Sequence, residues 1–491
     1  MTDVRRKLAT GASWMVAVRI VDRTLGLVST IILARLLVPK DFGLVAMATS
    51  VLALLELTSN FGFDIALIRQ SGTDRTQYDT AWTFNALLGL GITIALIALA
   101  YPAARFYGEP RVVGVIFALA AAPLIQGFEN IGVVMFRKEL NFRAEFMWLT
   151  GKRLAGLAVV LPLAFVLRSY WALVIGIMAG RLAGVLLSYG AHPYRPRISI
   201  ASRRDLLGFS KWILLLSMLQ FLLQRCADLI VGRTLGAGPL GIYNVALEVA
   251  SLPTTELVAP INRAVYPAFA KIAGDRAQLK HEYLAVIGII ALFALPAASG
   301  LAAVAAQVVP LLLGEKWVEA VPLIKVLAVL GAVQFAYTNA YSVFLAVGRP
   351  GFQVTLNAIN VPLIVGLMIY LTAQQGIIGA AWAAAVAGTL MVPFSLAFIF
   401  RELDLSISEF ARVVWRPGLS AGIMYICVVG LAARMHATLG FASELFHLLL
   451  LVCFGAAVYT LIVTLLWRTA GSPKSAERIV LTRVLNLFKR A

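Results

Sequence analysis

The stretch WMVAVRIVDRTLG, residues 14–26, sits inside a 25-residue run from Ala12 to Leu36 that otherwise looks like a membrane span, and it carries Arg19, Asp22 and Arg23. A run of that length crosses a bilayer core of about 30 Å as a helix rising about 1.5 Å per residue. An ionised side chain at mid-bilayer costs at least about 2.5–3.5 kcal/mol. Either the run is not a span, or its charges face protein or water. The surrounding sequence decides between these.

The chain has 491 residues, 60% hydrophobic and 13% charged, with a mean hydropathy of +0.87. A soluble domain could not hide that much apolar surface. Thirteen further segments repeat the pattern, at 43–68, 80–102, 112–135, 145–166, 169–190, 212–232, 240–262, 283–303, 322–347, 353–372, 376–400, 417–433 and 446–467. The expected fold is therefore an all-α polytopic membrane protein with about fourteen transmembrane helices. MTDVRRK (1–7) leads straight into a full-length apolar segment with no short h-region or small-residue cleavage site, so the first span is expected to serve as its own insertion signal. Connections of about 20 residues or fewer leave no room for a soluble catalytic domain between spans.

The formal charge of +18 would suggest nucleic acid in a soluble protein, but its placement gives another reading. With the N-terminus inside, 27 Lys/Arg fall on the inner connections and termini, 7 on the outer ones and 8 within spans. That asymmetry predicts both termini cytoplasmic and no nucleic-acid partner. The tail KSAERIVLTRVLNLFKRA (474–491) alternates apolar and basic residues as an interfacial amphipathic helix does, facing membrane lipids. Cys226, Cys427 and Cys453 all lie in apolar segments, and the four histidines lack ligand spacing. GAGPLG (236–241) lacks the Gly-Lys-Ser/Thr ending of a phosphate loop and reads as a turn. No cofactor, metal site, ATP site or enzymatic activity is expected.

Residues 9–48 align without a gap on 207–246 at an offset of 198, matching Trp14 with Trp212, Arg35 with Arg233, Leu37 with Leu235, Gly43 with Gly241 and Ala48 with Ala246. Same-orientation repeats of six spans are a transporter arrangement with the substrate path between them. The expected organisation is two pseudo-symmetric six-helix lobes around a central cavity, 1–198 and 199–400. Two added spans follow within 401–467, then the basic tail, 468–491. The join at 191–211, rich in Pro, Arg and Ser, reads as the linker between lobes.

LARLLVPKDFGLVAMA (33–48), GFDIALIRQSGTDRTQYDTAWTFN (62–85), GEKWVEAVPLIKVLAVL (314–330) and AVGRPGFQV (346–354) resemble the polysaccharide transporter branch of the multidrug/oligosaccharidyl-lipid/polysaccharide exporter superfamily. Within it the chain is similar to the Wzx-type flippases of colanic acid, succinoglycan and xanthan assembly. The resemblance implies translocation of undecaprenyl-diphosphate-linked oligosaccharides across the bacterial inner membrane, for exopolysaccharide, capsule or O-antigen synthesis. It also implies company with a polysaccharide polymerase and a chain-length regulator. The second repeat copy departs from the first at Gly236–Pro239, where the first has Val38–Asp41, which bears on loop geometry alone.

On a helix, Arg19, Arg23 (or Asp22), Gly26 and Thr30 share one face, and the repeat-related Ser217, Gln220, Gln224 and Asp228 share another. Both stripes are expected to line one cavity. A diphosphate favours planar, multidentate guanidinium donors, which Arg19 and Arg23 supply. A purely structural alternative is that Asp22 neutralises them and the trio pins the helix. Glu56, Asn60 and Asp64 form a stripe in the second span suited to sugar hydroxyls, to pairing with the first-span arginines, or to a proton or Na⁺. Gln126, Glu129 and Asn130 offer sugar contacts or a core polar network. Arg181 could reach the cavity, and Lys325 could snorkel or form an outer anion site. Lys152 and Arg153 read as snorkelling anchors, and Arg225 can pair with Asp228.

Flipping by alternating access is the leading function. A multidrug antiporter would want an acidic pocket for cations, against the net positive first-span stripe. A peptidoglycan-precursor flippase of the same superfamily is a further alternative. A membrane glycan polymerase or ligase would need a sizeable external loop, and the longest outer connection, 304–321, is short and mostly apolar.

Overall fold

A computed structural model describes residues 2–57, 67, 74–202, 211–349, 351–435, 440–473 and 476–478; within these, the side chains of 2–13, 15, 16, 19, 20, 211–216, 253–264, 267, 337 and 338 lie outside the description. Every regular element among the described residues is helical, as an all-α membrane protein requires, since helices satisfy their backbone groups internally. Two compact units, Met1–Gly241 and Ile242–Ala491, partition the chain.

The first unit contains α1 (Thr2–Leu36), α2 (Pro39–Glu56), α3 (Arg75–Tyr107), α4 (Arg111–Leu119), α5 (Ala121–Gly127), a 3₁₀ turn (Ile131–Val133), α6 (Val134–Lys138), α7 (Phe142–Leu167), α8 (Trp171–Ala191), α9 (Lys211–Leu235) and the start of α10 (Ala237–Ile272). The second holds the remainder of α10, then α11 (Arg276–Leu312), a 3₁₀ turn (Glu315–Trp317), α12 (Ala320–Thr338), α13 (Ala340–Ala346), α14 (Gly351–Gln375), α15 (Ile377–Leu403), α16 (Ile407–Ala432) and α17 (Phe441–Thr469). Among the described residues nine helices are long and apolar enough to cross a membrane, ten if the bent pair 111–127 and 131–138 is one span. The other four predicted segments fall on α1, α2, α9 and α10, so the figure of fourteen goes beyond that number.

Lipid tails are as apolar as leucine, so helices in a bilayer associate by close packing at small residues. In the first unit α7 and α8 meet at glycines: a Cβ on Gly156 would come 3.3 Å from the Gly176 carbonyl oxygen, and one on Gly176 only 2.6 Å from Cβ of Val160. α3 and α5 use the same device, a Cβ on Gly127 lying 2.7 Å from the Asn85 carbonyl oxygen. The tightest approach joins the repeat-related starts of α2 and α10. A Cβ on Gly43 would run into the Ala237 carbonyl, and one on Gly241 into the Pro39 carbonyl. Pro39 and Ala237 are themselves repeat mates, so each copy presses its glycine on the equivalent carbonyl of the other.

The predicted linker begins as a strap laid along the first turns of α3. Tyr194 Oη donates to Asp79 Oδ1 at 2.6 Å, and the Arg197 amide donates to the same oxygen at 2.8 Å. The amides of Ser199 and Ser202 donate to Thr83 and Thr80 hydroxyls at 3.0 and 3.3 Å. A polar patch on α3 thus receives backbone donors of an extended chain that has no ladder of its own.

In the second unit α11 packs with α12, α16 and α17, and the core gathers around Tyr283, Ile287, Val343 and Phe344. α16 starts ten residues before the predicted apolar segment, closed by a capping box in which Ser406 Oγ accepts from the Glu409 amide at 3.2 Å and Glu409 Oε2 accepts from the Ser406 amide at 2.8 Å. Its Arg416 is buried against Glu477, at 3.2 Å.

Candidate functional site

Within the first unit α1, α2, α3, α5, α7 and α8 surround a cavity of about 1400 Å³. Its wall is greasy over much of its area, with Val18, Leu25, Leu33, Ile92, Leu157 and Ile177 among the lining residues. Into it come four basic residues, Arg137, Lys152, Arg153 and Arg181, and three acidic ones, Asp22, Glu56 and Glu129. A charged cavity inside an apolar chain is tolerable where charges pair or meet water, and here they pair between helices.

Arg181 on α8 donates through Nη2 to Glu56 Oε1 at the end of α2, at 2.9 Å, with both side chains about a quarter to a third exposed (26% and 30%). Arg153 on α7 lies 3.4 Å from Asp22 Oδ1 on α1, a looser pair in which the side chains are 46% and 63% exposed. Gly26, one turn along α1, makes room for it: a Cβ there would stand 3.2 Å from Arg153 Nη2. Lys152 places Nζ 4.2 Å from the centroid of the Trp148 ring, a cation–π contact, and the Trp148 indole donates to the Gly184 carbonyl at 3.1 Å. Arg137 donates to the fully buried Glu145 at 2.5 Å. Three cations from two glycine-packed helices therefore project towards one space.

The fourth predicted span is not one straight helix. It breaks between α5 and α6, bending by 65°, and the break carries Gln126, Glu129 and Asn130 on the cavity wall. Asn130 is fully buried and holds the break in place: its amide donates to Ser188 Oγ at 2.9 Å, its Nδ2 to the Tyr194 carbonyl at 2.7 Å, and its Oδ1 accepts from the Gly132 amide at 2.9 Å. Of the two roles expected for this trio, Asn130 takes that of a core network. Non-helical backbone at membrane depth is found where it is buried in protein or borders a hydrated space.

The predicted site residues are placed unevenly. Asp22 and Arg181 line the cavity. α1 presents Val18, Asp22, Leu25 and Ser29 to it, a face turned by one residue, about 100°, from that of Arg19, Arg23, Gly26 and Thr30. Arg23 is half-buried and is not among the described lining residues, while the side chain of Arg19 lies outside the described residues. Asn60 and Asp64 also lie outside the described residues. Of the α9 stripe, Ser217 reaches the cavity, Gln220 and Gln224 are exposed, and Asp228 is buried beside Arg225, whose Nη1 donates to Asp228 Oδ2 at 2.9 Å. Lys325 is exposed on α12 of the second unit. Lys152 and Arg153, read as anchors, face the cavity instead. A signal for them was present: Arg-Leu-Ala-Gly occurs at 153–156 and again at 181–184, marking two helices that pack on small residues beside a cation. Among the described residues no cluster of three His, Cys, Asp or Glu side chains is arranged to hold a metal ion.

Comparison with known proteins locates this architecture. The profile of a family described as polysaccharide biosynthesis protein matches residues 32–322. The lipopolysaccharide biosynthesis protein WzxC of Escherichia coli (strain K12) is 28% identical over 424 residues, covering 84% of this chain and 85% of that protein. The succinoglycan biosynthesis transport protein ExoT of Rhizobium meliloti (strain 1021) is 22% identical over 461 residues, covering 93% and 91%. Among solved structures, the lipid II flippase MurJ in an inward closed conformation superposes with a TM-score of 0.75 at 14% identity, over 92% of this chain and 98% of that one, a likeness of fold.

Proposed function

The chain belongs to the polysaccharide biosynthesis protein family, and on that premise we propose that it is a flippase that carries undecaprenyl-diphosphate-linked oligosaccharide repeat units across the bacterial inner membrane by alternating access. It is a multi-pass membrane transporter and not an enzyme. The observation that carries the proposal is the meeting of Lys152, Arg153 and Arg181 on one cavity wall in a chain that is 60% hydrophobic. A diphosphate offers two adjacent anionic groups, and guanidinium pairs with them through parallel, charge-assisted hydrogen bonds. In this reading Arg153 and Arg181 receive the diphosphate and Lys152 adds charge from the Trp148 face. Gln126, Asn85 and Thr150, also on the wall, are suited to sugar hydroxyls. The isoprenoid tail stays in lipid, so the polar head never crosses bare hydrocarbon.

Arg19 and Arg23 keep a supporting role as donors on the adjoining face of α1. Gln220, Gln224 and Asn60 are assigned to sugar contact, and Lys325 to an outer anion site. Two six-span lobes, cytoplasmic termini, and a polymerase with a chain-length regulator as partners complete the proposal. The charge asymmetry of the connections supports the orientation. WzxC and ExoT, named for lipopolysaccharide and succinoglycan biosynthesis, support a cargo built for surface polysaccharide.

Inverted membrane vesicles supplied with purified lipid-linked glycan provide the test. Wild type should translocate it, and the double variant Arg153→Ala, Arg181→Ala should lose at least about tenfold, since each charge-assisted contact is worth about 1.5–3 kcal/mol. Normal insertion must accompany the loss. Undiminished transport by the double variant would remove the diphosphate assignment, and a change in polymer length without a change in translocation would point to an enzyme.

A further inference from the structure

The two arginines assigned to the diphosphate each already face a carboxylate from another helix. Arg181 bonds to Glu56 across α8 and α2, and Arg153 faces Asp22 across α7 and α1. A carboxylate presents to guanidinium the same pair of acceptor oxygens as a phosphate. The two therefore compete for one set of donors, and bidentate phosphate binding requires the carboxylate to give way. Resting on the diphosphate reading above, we propose that Glu56 and Asp22 are built-in counter-ions that compete with the cargo's phosphates for Arg181 and Arg153. Their task is release: a returning carboxylate replaces the departing phosphate, so the arginines are not left unpaired as cargo leaves.

Two observations beyond the pairing favour competition over simple helix pinning. Each pair bridges different helices at the wall of a cavity large enough for a diphosphate with attached sugar, so the exchange needs no opening of the core. The pairs are also only partly buried, the arginines retaining 26% and 46% of their side-chain exposure, so an incoming anion can reach them. By contrast Glu145, which holds Arg137, is 1% exposed and is a structural partner. Partial exposure keeps each pair weak enough to exchange, whereas a desolvated pair would not yield.

The test measures binding of inorganic pyrophosphate to the purified full-length protein in lipid nanodiscs, by calorimetry and by dissociation rate. Glu56→Gln should bind about fivefold more tightly than wild type, mostly through slower dissociation. Asp22→Asn should gain about twofold, because its pair is longer and more exposed. Glu56→Asp, which restores the charge, should return affinity to within about twofold of wild type; a merely structural role predicts no such recovery. Arg181→Ala should weaken binding. Should Glu56→Gln fail to fold, Asp22→Asn and Glu56→Asp carry the comparison. If wild type binds, Arg181→Ala does not, and neither neutralised carboxylate tightens binding, the counter-ion role is overturned while the diphosphate site stands. If wild type binds no pyrophosphate, the site itself is overturned and this role with it.

Discussion

Arg137 and Glu145 are an unequal pair: the arginine side chain is 47% exposed and the carboxylate 1%. Removing the arginine strands a buried charge, while removing the carboxylate leaves a cation that water can still reach. Arg137→Ala is therefore expected to destabilise the protein by about 1–3 kcal/mol, and Glu145→Gln by clearly less, as thermal midpoints in detergent would measure. Equal effects would contradict that asymmetry. His192, just beyond α8, titrates below its ordinary 6.5 chiefly because burial disfavours its cation, with Arg195 adding to the shift and Glu139 opposing it. Its Nδ1 accepts from the Tyr194 amide at 3.1 Å at the start of the strap, a bond that protonation destroys. A lowered pKa leaves this contribution intact above about pH 6.5 and removes it as pH falls through the depressed value. Hydrogen exchange corrected for intrinsic rates should show residues 193–202 less protected at pH 5 than at pH 7.5, a difference that His192→Asn abolishes. Single residues were the least legible part of the sequence. Charge marked Asp22 and Arg181 as cavity candidates, but nothing local to Arg137 told that its partner would be Glu145, eight residues on and fully buried.

At the scale of elements, hydropathy located the long helices among the described residues, because an apolar run of about 20 residues has few other uses. It missed breaks and phases. The fourth segment averages as one span, yet Asn130 caps the turn beyond the break and ties it to Ser188 and Tyr194, partners 58 and 64 residues away that no window average contains. For α1, helical periodicity told which residues share a face and not which face meets the cavity, and charges at 19, 22 and 23 straddle two faces. The repeat alignment fared differently at Gly43 and Gly241, for the matched glycines prove to be matched contacts. Since even a Cβ meets backbone at both, Gly43→Ala or Gly241→Ala should cost about 1–3 kcal/mol or more. Gly236→Ala probes a different cause: nothing lies within 4 Å of its Cβ position, and only its φ of +85° resists the change. It should cost about 1–2 kcal/mol, and fluorescence size-exclusion melting of the three variants would rank them.

For the whole molecule, sequence repetition and physical packing draw different borders. The repeat begins again near 207, whereas the compact units divide at Gly241, because α9 packs on α2 and α3 and the start of α10 crosses α2. Repeats preserve ancestry and contacts preserve energy, and the two need not coincide. The cavity adds a consequence at this scale. Its four described basic residues are matched by Asp22, Glu56 and Glu129 on the wall and by Glu145 behind Arg137, so its own charge cancels. A membrane potential does work on a moving net charge, about 2.3 kcal/mol per charge per 100 mV, and none on a balanced set. The described lining charges should therefore add no transient current of their own when the unladen carrier reorients on a solid-supported membrane, while the laden step, with two phosphate charges aboard, should be electrically visible and driven by a cell interior held negative.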